Sequence, residues 1–123
     1  MNIIISHSSG VPIYEQIVAQ IKEQILSGAL AEGVLLPSMR ALAAELQISL
    51  ITTKRAYEEL EKAGLIQTVA GKGCFVQGQK QELLREEYRK KMEHHLQEAI
   101  ACAKKSGVTK QELQELLELL AEE

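Results

Sequence analysis

A chain of 123 residues is about one ordinary domain with room for a helical extension, and its 46% hydrophobic residues suffice for one core. Only four residues are aromatic (Tyr14, Tyr57, Phe75 and Tyr88) and all seventeen acidic residues are Glu, a composition that favours helices. Taken over the whole chain, a formal net charge of -3 argues against a nucleic-acid or anionic-membrane partner, and apolar runs such as residues 3–5, 41–44 and 99–103 fall far short of the roughly 18 residues a membrane span needs.

The chain starts with a short β-prone run, residues 3–5, and a polar Ser/His/Gly segment with no basic stretch leading into an apolar one, so a cytoplasmic location is expected. Pro12 suits the first turn of a helix. Ile13, Ile17, Ile21 and Ile25 then recur every four residues, with Tyr14 and Val18 beside them, and predict an amphipathic helix ending near Gly28. Gly28 and Gly33 bracket a turn. A second helix follows Pro37-Ser38, with Ser38 as its N-cap and Leu42, Ala43 and Leu46 inward; it is short, stopping near Leu46.

Gln47-Ile48-Ser49 separates it from a third helix, capped by Ser49, ended by Gly64, and carrying an inward stripe of Thr53, Ala56, Tyr57 and Leu60. The period then becomes that of strands: residues 65–69, a turn of Ala70-Gly71-Lys72-Gly73, and residues 74–76 predict a β-hairpin with a glycine-rich tip. Beyond Gln77-Gly78-Gln79, the best candidate boundary, Leu84, Tyr88, Met92, Leu96 and Ile100 mark another helix, stopped at Gly107. Thr109 with Glu112 forms a capping-box pattern for a last helix with Leu113, Leu116, Leu117 and Leu120 inward. Two helices alone cannot bury these stripes, so they are expected to pack on the first part or on another subunit.

Helix, three-residue turn, helix and hairpin is the order of a winged helix-turn-helix. In addition Pro12-Ile13-Tyr14, Gln16-Ile17, Gly28, Gly33, Leu36-Pro37-Ser38, Arg40, Leu42-Ala43, Ser49, Thr52, Arg55-Ala56-Tyr57, Leu60, Gly64-Leu65-Ile66, Gly71-Lys72-Gly73 and Phe75-Val76 together resemble the DNA-binding domain of GntR-family transcriptional regulators. The match runs over residues 10–78, and the short two-helix tail is similar to that of the YtrA-like branch. The resemblance implies a homodimerisation element in place of a large effector domain, and a regulated operon such as that of an ABC transporter. The expected fold is therefore mainly α with a small β-hairpin: a winged helix-turn-helix DNA-binding domain over residues 1–78 and a helical dimerisation segment over 79–123.

In a helix-turn-helix the start of the second helix meets base edges in the major groove. That assigns Leu50, Ile51, Thr52, Lys54 and Arg55 to the DNA-facing side, with Ser49 and Thr52 as hydroxyl donors and Lys54 and Arg55 neutralising phosphates. Arg40, in the first turn of the preceding helix, suits a phosphate or guanine. The resemblance supports Ser38, Arg40, Thr52, Lys54 and the tip Gly71, Lys72, Gly73 as contacts. Relatives commonly carry Arg where this chain has Leu50, followed here by apolar Ile51. Two exposed aliphatics there fit thymine methyl groups, and the operator is expected to carry A·T pairs where relatives have guanine.

Leu84, Tyr88, Met92, Leu96 and Ile100 with Leu113, Leu116, Leu117 and Leu120 are the expected dimer seam. No catalytic residue, metal site or cofactor is expected. Cys74 and Cys102 show no CxxC pattern, His94 and His95 point in different directions with only His94 sharing a face with Glu98, and residues 64–73 do not make a Walker A loop. The expected partners are an operator duplex and a second copy of the chain, with no membrane. A small-molecule effector of unnamed chemistry would act by altering the distance between recognition helices. The alternative is a winged-helix protein-interaction module that never touches DNA.

The charge distribution refines the opening sum. Residues 46–57 hold Lys54 and Arg55 without one Glu, residues 62–81 hold Lys62, Lys72 and Lys80 without one Glu, and ten of the seventeen glutamates lie in residues 79–123. The net charge thus sums an acidic tail and a carboxylate-poor candidate DNA face. Weak non-specific DNA affinity is expected.

Overall fold

The structure, a computed structural model, describes residues 1–78 and 81–122. Of the expected boundary, Gln79 lies outside the described residues, as does Lys80. The chain forms two compact units, Met1–Lys80 and Gln81–Glu123. In the first, α1 (Ile13–Leu26), α2 (Met39–Leu46) and α3 (Leu50–Lys62) precede the antiparallel strands β1 (Ile66–Val69) and β2 (Gly73–Val76). In the second, α4 (Gln81–Ser106) and α5 (Lys110–Leu120) form a helical hairpin. Among the described residues, no helix is long and apolar enough to cross a membrane.

The helix starts follow the capping chemistry read from sequence. Ser38 Oγ accepts the Ala41 amide at 3.1 Å, Ser49 Oγ accepts that of Thr52 at 3.1 Å, and Thr109 Oγ1 that of Glu112 at 3.2 Å. The reciprocal arm at Thr109 differs from a full capping box: its hydroxyl donates to the Glu112 carboxylate at 3.1 Å. Pro12 is the N-cap of α1 and so precedes the first helical turn.

The core of the first unit lies where α1 and α2 pack on α3 and the hairpin closes one end. Ile17 and Ile21 from α1, Leu42 from α2, Ala56, Tyr57 and Leu60 from α3, and Ile66 and Val76 from the hairpin are buried together. The period-four isoleucines supply one face of this core, although Ile13 at the end of the row is only partly buried. Losing one such Ile side chain to Ala would cost about 2–5 kcal/mol.

Two elements exceed the sequence reading. The segment read only as a turn between Gly28 and Gly33 continues into a short third rung on the hairpin. Leu35 bridges Phe75, the Gly33 and Leu36 amides donate to Val76 and Cys74 carbonyls at 2.8 Å, and the Val76 amide donates to Val34 at 2.9 Å. The β-prone residues 3–5 form no strand. Instead they run antiparallel to α1 under a row of glutamines. Gln20 exchanges two hydrogen bonds with the Ile4 backbone at 2.8 and 2.7 Å, Gln24 donates to Asn2 at 2.8 Å, and Gln16 exchanges two with Ser6 at 2.8 Å. The match is metric: two extended residues advance about 6.6 Å and four helical residues about 6.0 Å.

The second unit has a different balance. Gly107, at φ +75°, ends α4, and the Val108 amide closes the turn on the Ala103 carbonyl at 2.9 Å. Ala103 is buried, but Leu84 and Leu113 are only half-buried, and Tyr88, Met92, Leu96, Ile100, Leu116, Leu117 and Leu120 are exposed. An apolar groove of about 560 Å³ between the two helices gathers Leu96, Ile100, Leu113, Leu116, Leu117 and Leu120. On the polar side of α4, Arg89 pairs with Glu86 at 2.7 Å and Glu93 at 3.5 Å. One expectation is corrected here: His94 and His95 both approach Glu98, at 2.9 and 4.0 Å, because i,i+3 neighbours share a helix face as i,i+4 neighbours do.

Candidate nucleic-acid interface

The geometry of the site begins at the turn between α2 and α3. Gln47 adopts a left-handed conformation, φ 56° and ψ 47°, which ends α2. The Ile48 amide reaches back to the Ala43 carbonyl at 3.0 Å, and Ser49 caps α3 immediately afterwards. Thr53, Ala56, Tyr57 and Leu60 are buried, so the opposite face of α3 is turned outward. Ile51 is 81% exposed, the most exposed large apolar side chain among the described residues, and Leu50 is 41% exposed. Lys54 is exposed, with Glu58 4.0 Å away; both groups are solvated, and such a pair contributes little.

The polar residues expected on this face are more committed than their sequence positions suggest. Ser49 Oγ lies 2.7 Å from Thr52 Oγ1 in addition to capping the helix, and Thr52 is half-buried. Ser38, likewise, is the cap of α2. Arg55 is no free cation: its guanidinium lies 3.9 Å from the centroid of the Tyr14 ring, from α1. Tyr14 donates its hydroxyl to Glu15 at 3.1 Å, which raises its pKa, while the Arg55 charge opposes that rise.

Tyr14 and Arg55 form one wall of an open cleft of about 600 Å³ that also holds His7, Gln47, Ser49 and Thr52. Sequence reasoning missed His7, Tyr14 and Gln47 as neighbours of α3. In the sequence Tyr14 flanks the isoleucine row and belongs to the Pro12-Ile13-Tyr14 stretch of the family resemblance, neither of which places it at α3. Nothing in the spacing links it to Arg55, 41 residues away.

Arg40 is exposed on the first turn of α2, outside this cleft. Gly71, Lys72 and Gly73 sit exposed at the hairpin tip, where the Lys72 amide donates to the Val69 carbonyl at 3.0 Å. Gly73 is favoured chiefly by its backbone. Its φ of +116° disfavours any side chain, whereas a Cβ there would lie 3.0 Å from Leu35 Cδ1, an exposed side-chain tip that would have to shift by only a few tenths of an ångström. Among the described residues no group of three His, Cys or Glu side chains could hold a metal ion.

A short turn presenting a capped helix, its outer face bare of carboxylates through the first turn, beside a glycine-tipped hairpin defines a winged helix-turn-helix protein of the DNA-binding regulator class. The family described as bacterial regulatory proteins, gntR family, matches residues 13–76, and the chain belongs to it. It is 36% identical over 107 residues to the HTH-type transcriptional repressor YtrA of Bacillus subtilis, covering 87% of this chain and 82% of that protein. The crystal structure of a transcriptional regulator from Oenococcus oeni is similar at a TM-score of 0.81 and 28% identity, over 96% of this chain and 98% of that one. The DNA-binding domain of AraR, solved in complex with operator ORR3, is similar at a TM-score of 0.52 and 25% identity, over 62% of this chain and 92% of that one.

Proposed function

We propose that this DNA-binding regulator is a cytoplasmic repressor that occupies a palindromic operator as a homodimer, one α3 per half-site. The observation that carries the reading is the outward face of α3: Leu50, Ile51 and Lys54 stand exposed at its first turns while Thr53, Ala56, Tyr57 and Leu60 are buried behind them. In this reading Arg40, Lys54 and Lys72 meet phosphates, and Leu50 and Ile51 face the bases. Ser38, Ser49 and Thr52 hold the two helix starts in place, and Arg55 on Tyr14 frames the cleft alongside. Gly71 and Gly73 let the tip backbone approach the duplex. The relatives support repression, since the Bacillus subtilis protein is named a repressor.

The second unit is read as the dimer element. Exposed Tyr88, Met92, Leu96, Ile100, Leu116, Leu117 and Leu120 with half-buried Leu84 and Leu113 offer one chain more apolar surface than its own hairpin covers. A two-fold pairing sets half-sites about 10 base pairs apart centre to centre, or a multiple of that. The reading assigns no catalytic step, and an effector would act by changing the spacing of the two α3 helices.

Selection of bound duplex from a random pool tests it. The expected result is an enriched palindrome, with Arg40→Glu and Lys72→Glu each abolishing enrichment and Ile100→Glu giving a monomer by sedimentation that no longer holds the palindrome. Absence of any enriched palindrome, or enrichment untouched by both charge reversals, overturns it.

A further inference from the structure

We infer that base recognition at the start of α3 is carried chiefly by the Ile51 side chain, with Leu50 beside it, and that what it reads is the C5-methyl group of thymine. The inference rests on the DNA-binding reading above and adds the chemistry of the bases that α3 selects.

It follows from what is left over once the internal commitments of α3 are counted. Ser49 Oγ accepts the Thr52 amide at 3.1 Å and lies 2.7 Å from Thr52 Oγ1, so each hydroxyl already has a partner. One of the two O–H groups is spent on the other, so at most one hydroxyl hydrogen is left for a base, and a single hydroxyl bond suits several base edges and discriminates weakly. Thr53 is buried and bonded to the Ser49 carbonyl at 3.2 Å. Arg55, a strong guanine reader when extended, is stacked 3.9 Å from the Tyr14 ring. Lys54 is exposed but is a flexible point charge suited to phosphate.

Ile51 at 81% exposure and Leu50 at 41% are what remains, adjacent and branched, on the first turn that meets the groove. Neither can accept or donate a hydrogen bond, so a guanine or cytosine edge facing them would lose its water without replacement. The thymine methyl is the apolar feature of the major-groove edge, and burying one CH₃ against an aliphatic side chain changes affinity about fourfold.

The test uses the full chain and the operator recovered from a random pool, with each thymine replaced singly by deoxyuridine, which removes the methyl and leaves pairing intact. The expected result is one or two thymines per half-site at which uracil weakens binding about fourfold. The penalty should fall below about twofold in Ile51→Ala and persist in Ile51→Val, which keeps an aliphatic contact. Since Ile51 lies outside the core, equal thermal melting of the wild type and both variants verifies that they are folded. An operator indifferent to uracil at every thymine overturns the inference while leaving DNA binding intact, as does a uracil penalty undiminished in Ile51→Ala. Failure to recover any operator overturns the DNA-binding reading and this inference with it.

Discussion

Tyr57 donates its hydroxyl to the carbonyl of Pro37 at 2.7 Å, tying the middle of α3 to the residue before the cap of α2. The side chain is 1% exposed, and burial, reinforced by the nearby Cys74 thiol, raises the phenol above its ordinary value. In the unfolded chain the phenol ionises near pH ~10, whereas in the folded protein it stays protonated there. Its contribution is therefore fully present at neutral pH and is lost as pH rises past about 10, by up to about 1.4 kcal/mol per pH unit. Tyr57→Phe should cost about 1–2 kcal/mol at pH 7, since it removes the hydrogen bond and leaves the Pro37 carbonyl unpartnered. The variant should also lose stability less steeply than the wild type between about pH 10 and 11. Urea unfolding at both pH values measures this, and parallel alkaline slopes would contradict it.

Gln47 holds a left-handed backbone that costs a residue with a side chain about 1–2 kcal/mol, while glycine adopts it freely. After the extra freedom glycine has in the unfolded chain, Gln47→Gly should stabilise the first unit by roughly 0.5–1 kcal/mol. Chemical denaturation reads this as a higher midpoint at unchanged slope. A lower midpoint would mean that the Gln47 side chain, at the cleft, makes an interaction worth more than the strain.

The Arg55 and Tyr14 pair joins α3 to α1 along one wall of the cleft. Arg55→Gln and Tyr14→Leu should each lower the melting temperature, and the double variant should fall by less than the sum of the two, because one contact is being removed twice. Strict additivity would show that the stacking carries no coupling.

Salt dependence counts the phosphate contacts. Each phosphate-neutralising cation contributes about 0.9 to the slope of log affinity against log salt, so removing one from both halves of a dimer should reduce the slope by roughly 1.8. Lys54→Gln and Lys72→Gln are each expected to do so, weakening binding to all duplexes alike, whereas Ile51→Ala should alter sequence preference and leave the slope unchanged. Titrations of operator and random duplex at several salt concentrations separate the two behaviours. A sequence-selective loss in the lysine variants would assign them to bases.

The sequence by itself determined what depends on local chemistry and periodicity. The isoleucine row of α1 announces a buried helical face. Ser38, Ser49 and Thr109 announce helix starts, since a hydroxyl beside unpaired amides satisfies them whatever lies elsewhere. The glycines at 71 and 73 announce the hairpin tip, since glycine alone adopts freely the positive φ that both hold in the structure. The acidic bias of residues 79–123 was equally legible, because charge along a chain needs no folding to be read.

Only the tertiary structure decided which side chains are spent on one another. Arg55 reads as a DNA cation from its position on α3, but the packing of α1 against α3 brings the Tyr14 ring beneath it. Gln16, Gln20 and Gln24 form a visible period-four row, yet each bonds the backbone of residues 2–6, and Gln16 also the Val11 carbonyl and the Ser9 hydroxyl. Leu35 finds Phe75 from 40 residues away. The reason is common to all three. A helix period fixes which face a residue occupies, while the partner opposite that face is set by how elements dock, through contacts between residues far apart in the chain that no local pattern encodes.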